Sequence, residues 1–151
     1  MTAHYLEPLF APRSIALFGA SNRPDAVGGI VYRNLLEAGF TGPVVAINPK
    51  HDNIQGRPAY PTLAAAGEDI DLAVVATPAP SIPAIVDECG ERGVPMMLIL
   101  SAGFRETGDA GRRLENEVVS RARRHGIRIM GPNCLGIIRP SSGVNLTFGN
   151  N

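Results

Sequence analysis

The chain has no tryptophan, two cysteines, three histidines and no excess of either charge, and each shortage removes a class of function. With 14 basic against 14 acidic residues the formal net charge is zero, so no global field draws the protein onto nucleic acid or an anionic membrane. Cys89 and Cys134 stand far apart, without the CxxC spacing of zinc or redox sites. That argues against a disulfide framework or a metal site and makes a reduced, cytoplasmic setting the expectation. His4, His51 and His125 fall near a terminus, in a loop and at a helix end, in no catalytic pattern. No apolar run approaches the roughly 20 residues of a membrane span. The opening residues also lack the basic and apolar regions of a signal peptide.

What is present is an alternation. Apolar runs at Ile15–Phe18, Val44–Ile47, Asp71–Thr77, Val94–Leu100 and Ile127–Met130 read as strands, the continuous ones as strands buried on both faces. Between them lie helical patterns: Gly29–Gly39, a short Thr62–Ala66, a segment from about Ser81 with Ile82, Ile85, Val86 and Cys89 in phase, and Asp109–His125. Strands alternating with helices predict an α/β protein: a Rossmann-like, doubly wound parallel sheet of about five strands with helices on both faces. The expected strand order is 3-2-1-4-5. Length fits one domain over residues 1–151, with 1–13 a lead-in carrying a short helix and 139–151 an irregular tail. The arginines of the last helix are interleaved with acids, Glu117 and Arg121 at i,i+4 among them, and read as a solvated face rather than a nucleic-acid patch.

In such a sheet ligands sit beyond the carboxyl ends of the strands. Five loops converge there: Gly19–Gly29, Asn48–Lys50, Thr77–Pro80, Ser101–Phe104 and Gly131–Gly136. The first joins a buried strand to a helix, an arrangement that aims backbone N–H groups and a positive helix end at a phosphate, though a plain strand-to-helix turn looks the same in sequence. It is not a dinucleotide fingerprint. Ser21 stands where Gly-x-Gly needs its second glycine, and the second strand ends in Asn48-Pro49-Lys50 without the acid that would hold a free ribose. A lysine there suits a phosphorylated ribose, as in NADP or coenzyme A, or else is a solvated loop residue. Cys134 has no histidine near it in sequence to activate a thiolate, so a nucleophilic role is not expected.

Gly19-Ala-Ser-Asn22, Asn48-Pro-Lys50, Thr77-Pro-Ala-Pro80, Leu100-Ser-Ala-Gly-Phe104 and Gly131-Pro-Asn-Cys-Leu-Gly136 together resemble the CoA-binding domain of NDP-forming acyl-CoA synthetases. That group includes the succinyl-CoA synthetase α subunit and the ADP-forming acetyl-CoA synthetases; Leu9–Ser21 also resembles the start of protein lysine acetyltransferases that carry the same module. The resemblance implies that CoA or acyl-CoA is the ligand. Gly19, Ala20, Ser21, Asn22 and the loop through Val27 to Gly28 would bracket its phosphates, with Asn48 and Lys50 at the adenosine end. Thr77 and Pro78 would border its path. Ser101, Ala102 and Gly103 would line the pantetheine, and Asn133 and Cys134 would sit near the thiol. Leu135 stands where succinyl-CoA synthetases usually carry proline, which speaks against succinate as the acyl group. The family's phosphorylated histidine and ATP-grasp machinery are not in this stretch. The chain is therefore expected to bind rather than catalyse, with no catalytic residue of its own, as the N-terminal part of a larger ligase or acetyltransferase. An NADP-dependent oxidoreductase domain and a regulatory nucleotide sensor are the competing expectations.

Overall fold

The computed structural model describes residues 3–149. Its centre is a run of parallel strands, β1 (Ile15–Phe18), β2 (Val44–Ile47), β5 (Leu72–Val75), β6 (Met96–Ile99) and β7 (Arg128–Met130), the five anticipated from the apolar runs. Every residue of β1, β5 and β6 is buried, because helices cover both faces of the sheet. The two-residue alternation of a strand divides the core in two. Ile15, Leu17, Leu72, Val74, Met96 and Leu98 pack on one face, while Ala16, Phe18, Ala73, Val75, Met97 and Ile99 pack on the other.

The first face receives α1 (Glu7–Phe10) through Leu9, and α2 (Val27–Glu37) through Val31, Tyr32 and Leu35. The second receives α3 (Leu63–Ala66), capped by the Thr62 hydroxyl, together with α4 (Ile82–Glu91) and α5 (Asp109–His125). Pro83 sits in the first turn of α4, where its missing N–H removes no helix bond. Gly126, at φ 70°, closes α5 in the left-handed conformation that glycine takes freely. Between the two helices Arg121 bridges Asp87 and Glu117, and His125 Nε2 lies 3.1 Å from Asp87 Oδ1. A Cβ on Gly90 would stand 2.1 Å from the His125 ring, so that glycine admits the imidazole. Arg112, Arg113, Arg123 and Arg124 are exposed, the solvated face anticipated for α5.

Two expectations are corrected. The Asp71–Thr77 run was expected beside the second strand, under the 3-2-1-4-5 order. It lies instead beside β1, and the place next to β2 is filled by β4 (Arg57–Tyr60), giving the order β3-β4-β2-β1-β5-β6-β7. β3 (Asn53–Ile54) pairs antiparallel with β4 at this edge. Neither strand carries an apolar run, and Pro58 is tolerated because β4 borders only a two-residue strand on its outer side.

The segment expected to be an irregular tail is also ordered. β8 (Ile138–Arg139) and β9 (Val144–Asn145) form a small hairpin, and Val144 and Leu146 are buried on the α2 face of the sheet. The buried Asn34 side chain of α2 donates to the carbonyls of Thr147 (2.9 Å) and Gly149 (3.2 Å) and holds the segment down. Residues 150–151 of that segment lie outside the described residues. Among the described residues no helix is long and apolar enough to cross a membrane.

Candidate functional site

The sheet brings the first loops together at the carboxyl ends of β1, β2 and β5. Gly19, at φ 90°, turns the chain sharply after β1, and a Cβ there would stand 2.9 Å from the backbone of Ala76. Nine residues on, Gly28 lies against the same turn: its Cβ would fall 1.8 Å from the Gly19 carbonyl oxygen. Two glycines thus do what a Gly-x-Gly-x-x-Gly run does in a dinucleotide site, one for the turn and one for close packing of helix on strand. The longer loop between them leaves the start of α2 open. Ala26 at its N-cap offers no side-chain acceptor and no acid stands in the first turn, so neither the cap nor the first turn compensates the positive end of the helix.

A groove of about 450 Å³ opens over this helix end. Ten of the anticipated residues line it: Gly19, Ala20, Ser21, Asn22, Val27 and Gly28 from the first loop, Asn48 and Lys50 from the second, and Thr77 and Pro78 from the third. Arg23 and Ala26, within the anticipated first loop though not singled out, and His51 and Ala76, not anticipated, complete it. Lys50 and His51 are exposed on the rim, and Arg23 makes an exposed ion pair with Asp25 at 3.4 Å. Sharing Lys50, Thr77 and Pro78 with the groove is a neighbouring hollow of about 420 Å³, mostly apolar, with Ile47, Pro49, Pro61 and Ile85 in its walls. The site is therefore a cationic, amide-lined groove continuous with an apolar slot.

The two asparagine side chains anticipated in the groove, Asn48 and Asn22, are engaged within the protein. Asn48 Nδ2 donates to the Ala20 carbonyl (3.0 Å), while its Oδ1 accepts from the amides of Lys50 (2.8 Å) and His51 (3.2 Å). It clamps the second loop to the first and presents Lys50. Asn22 reaches the β3–β4 hairpin, donating to the Asn53 carbonyl (3.1 Å) and accepting from the Gln55 amide (2.7 Å). Gln55 answers with its own side chain, Nε2 donating to the carbonyls of Ser21 (3.1 Å) and Gly29 (2.9 Å). Sequence reading missed Gln55, and its only local signal is that it stands where the two-residue turn would favour Asn or Gly.

Ser101, Ala102, Gly103, Asn133 and Cys134 line neither the groove nor the slot. They follow β6 and β7 and are tied to the third loop in series. Ser101 Oγ donates to the Thr77 carbonyl, the Asn133 amide donates to the Ser101 carbonyl at 3.0 Å, and Cys134 Sγ donates to the Ile99 carbonyl at 3.4 Å. The amides of Gly103 and Phe104 both donate to Glu106, which holds that carboxyl below its ordinary range. Leu135 beside them is the most exposed of the large apolar side chains, at 76%. Among the described residues no His, Cys, Asp and Glu gather into a metal-binding group. Burial pushes the Cys89 thiol well above its ordinary range, an inert core cysteine.

The model of the family described as "CoA binding domain" matches residues 13–140, which contain all five loops. The chain belongs to that CoA binding domain family. It is 42% identical over 143 residues to acetate–CoA ligase [ADP-forming] I of Archaeoglobus fulgidus, covering 95% of this chain and 21% of that protein. It is 38% identical over 148 residues to the α subunit of acetate–CoA ligase [ADP-forming] I of Pyrococcus furiosus, covering 95% of this chain and 32% of the subunit. Among solved structures, the dinucleotide-forming acetyl-coenzyme A synthetase 1 of Ca. Korarchaeum cryptofilum in complex with phosphate and ADP superposes with a TM-score of 0.91 at 39% identity, over 96% of this chain and 31% of that one. The CoA binding domain described here thus spans about a fifth to a third of the length of these relatives. Of NADP and CoA, the two ligands with a phosphorylated ribose, the family match favours CoA.

Proposed function

We propose that this domain binds CoA across the carboxyl ends of β1, β2 and β5, with the diphosphate on the open start of α2 and the phosphorylated ribose against Lys50. The observation that carries this is the uncapped helix end facing a groove whose rim holds Lys50. Free N–H groups and the helix dipole favour an anion, and a lysine beside them supplies a charge-assisted contact to a second one. The apolar slot suits a planar base or the pantetheine arm. The thiol end would extend towards Asn133 and Cys134. There Cys134 contributes shape rather than nucleophilicity, since its Sγ donates to a backbone carbonyl. In a longer protein of the kind it resembles, the domain would present CoA as a substrate to an ADP-forming acyl-CoA ligase whose remaining parts supply the phosphoryl chemistry.

Calorimetry with CoA, 3′-dephospho-CoA, NADP and NAD tests the reading. CoA should bind best, and loss of the 3′-phosphate should weaken binding about tenfold, as expected for one exposed charge-assisted contact. The variant Lys50→Met should lose that discrimination while leaving 3′-dephospho-CoA affinity unchanged. A preference for NADP, or indifference to the 3′-phosphate in the wild type, would sink the proposal.

A further inference from the structure

Gln55 is the wrong residue for its turn and the right one for its neighbours. With Gly56 it forms the two-residue connection between β3 and β4, both at positive φ (50° and 78°). Such turns favour Asn-Gly or Gly-Gly, since a longer side chain gains nothing locally from the left-handed conformation. From this unfavoured backbone Gln55 reaches out of the hairpin to the first loop. Its Nε2 donates to the Ser21 carbonyl at 3.1 Å and the Gly29 carbonyl at 2.9 Å, one near the loop's entrance and one in the first turn of α2. Its backbone amide is held by Asn22 Oδ1 at 2.7 Å, and Asn22 Nδ2 closes the link on the Asn53 carbonyl. Gly56 in turn donates to Asn53 Oδ1 at 3.1 Å, which fixes the turn itself.

We infer that Gln55 is a positioning residue for the CoA site: the β3–β4 hairpin serves as a brace that sets the first loop and the start of α2 at the spacing the ligand's phosphates require. The inference rests on the CoA site proposed above and adds to it a side chain that lines neither the groove nor the slot. The loop from Ser21 to Val27 is exposed along most of its length and, beyond the Asn22 side chain's bonds to the hairpin, carries local bonds, chiefly Arg23 N to Ser21 Oγ at 3.0 Å and Ala26 N to the Arg23 carbonyl at 3.3 Å. An amide can donate both its N–H groups at once, so one side chain joins the loop's entrance to the first turn of the helix. Preorganised in this way, the loop loses less freedom when ligand binds. A local rule broken without local gain marks a place where function selects the residue.

The test uses Gln55→Gly and Gln55→Asn, both of which suit the turn better than glutamine and neither of which spans to Ser21 and Gly29. Thermal unfolding, amide hydrogen exchange without ligand, and calorimetry with CoA are measured on the chain. Both variants should unfold at or above the wild-type temperature. Exchange should quicken between Ser21 and Ile30, and CoA affinity should fall about tenfold, equivalent to about 1.4 kcal/mol. A residue that merely stabilised the hairpin would lower the unfolding temperature and leave loop exchange and affinity alone. Wild-type affinity in Gln55→Gly overturns the brace. Absence of CoA-induced amide shifts between Ser21 and Gly29 in the wild type overturns the site it rests on, so the two failures are distinguishable.

Discussion

Replacing Gly28 by alanine tests the packing that opens the groove. A methyl group at this position would stand 1.8 Å from the Gly19 carbonyl oxygen and 2.7 Å from its carbon, both backbone atoms of a turn that is itself wedged against Ala76. Nothing there can rotate aside. To restore van der Waals separation the start of α2 must retreat by roughly 1.5 Å, and the uncapped amides retreat with it. Against this stands the helix propensity of alanine, which favours the substitution by up to about 1 kcal/mol. Overpacking against rigid backbone costs typically 1–3 kcal/mol or more, and a contact this short belongs at the upper end. The net expectation is a loss of about 2 kcal/mol, which for a domain of this size lowers the melting temperature by roughly 4–8 °C. CoA affinity should fall well beyond tenfold, because displacement moves the amides that would receive the diphosphate. Denaturant titration gives the stability change and calorimetry the binding change. Wild-type stability with undiminished binding would refute the account of Gly28. A useful contrast is Gly90→Ala, where the obstructing atoms are the His125 ring, able to swing away at the cost of its contact with Asp87.

Further outcomes follow from the same structure. Leu146→Ala should destabilise the domain by about 2–4 kcal/mol, as expected for a wholly buried leucine, whereas a true surface tail would tolerate the change; chemical denaturation decides. Asp71 receives the Arg13 backbone amide and two guanidinium nitrogens at 2.9–3.1 Å, and the guanidinium contact holds its carboxyl below the usual 3.8. Its contribution to stability is therefore complete above that value and is lost as pH falls through the lower folded-state pKa. Asp71→Asn should flatten the acid limb of the stability–pH curve and leave its alkaline limb unchanged, as followed by unfolding across pH 2–9 (about that range).

The parts of the fold legible in sequence were those whose burial is local in pattern. Four-residue apolar strands announce themselves because both faces are covered, and the stripe expected of Leu114, Val118, Val119 and Ala122 with Gly126 after it marked α5 over Asp109–His125, although Val119 stands outside the core. The edge hairpin was illegible for the converse reason. Asn53 and Arg57-Pro58 carry no apolar period, and they become strand only because β2 presents an open edge to β4. Val144 and Leu146 likewise owe their burial to a gap beside α2 that no window of sequence describes. At the site, the loops were legible because a parallel sheet delivers every strand-to-helix loop to the same end. Which side chains face the groove was legible only in part. Asn22 and Asn48 turn inward as clamps, and Gln55 reaches Ser21 and Gly29 across more than twenty-five positions of chain, a proximity that topology alone creates.

The strap formed by residues 137–149 bears on where such a module can be cut from its surroundings. The family match stops at residue 140, yet Val144 and Leu146 fill the sheet face beyond it and Asn34 grips carbonyls as far as Gly149. The stretch that the family model outlines is thus shorter than the unit that folds. A fragment trimmed to that boundary would uncover part of an apolar face and strand a buried amide without its acceptors. Any graft or fusion that preserves the domain has to place its junction after the strap.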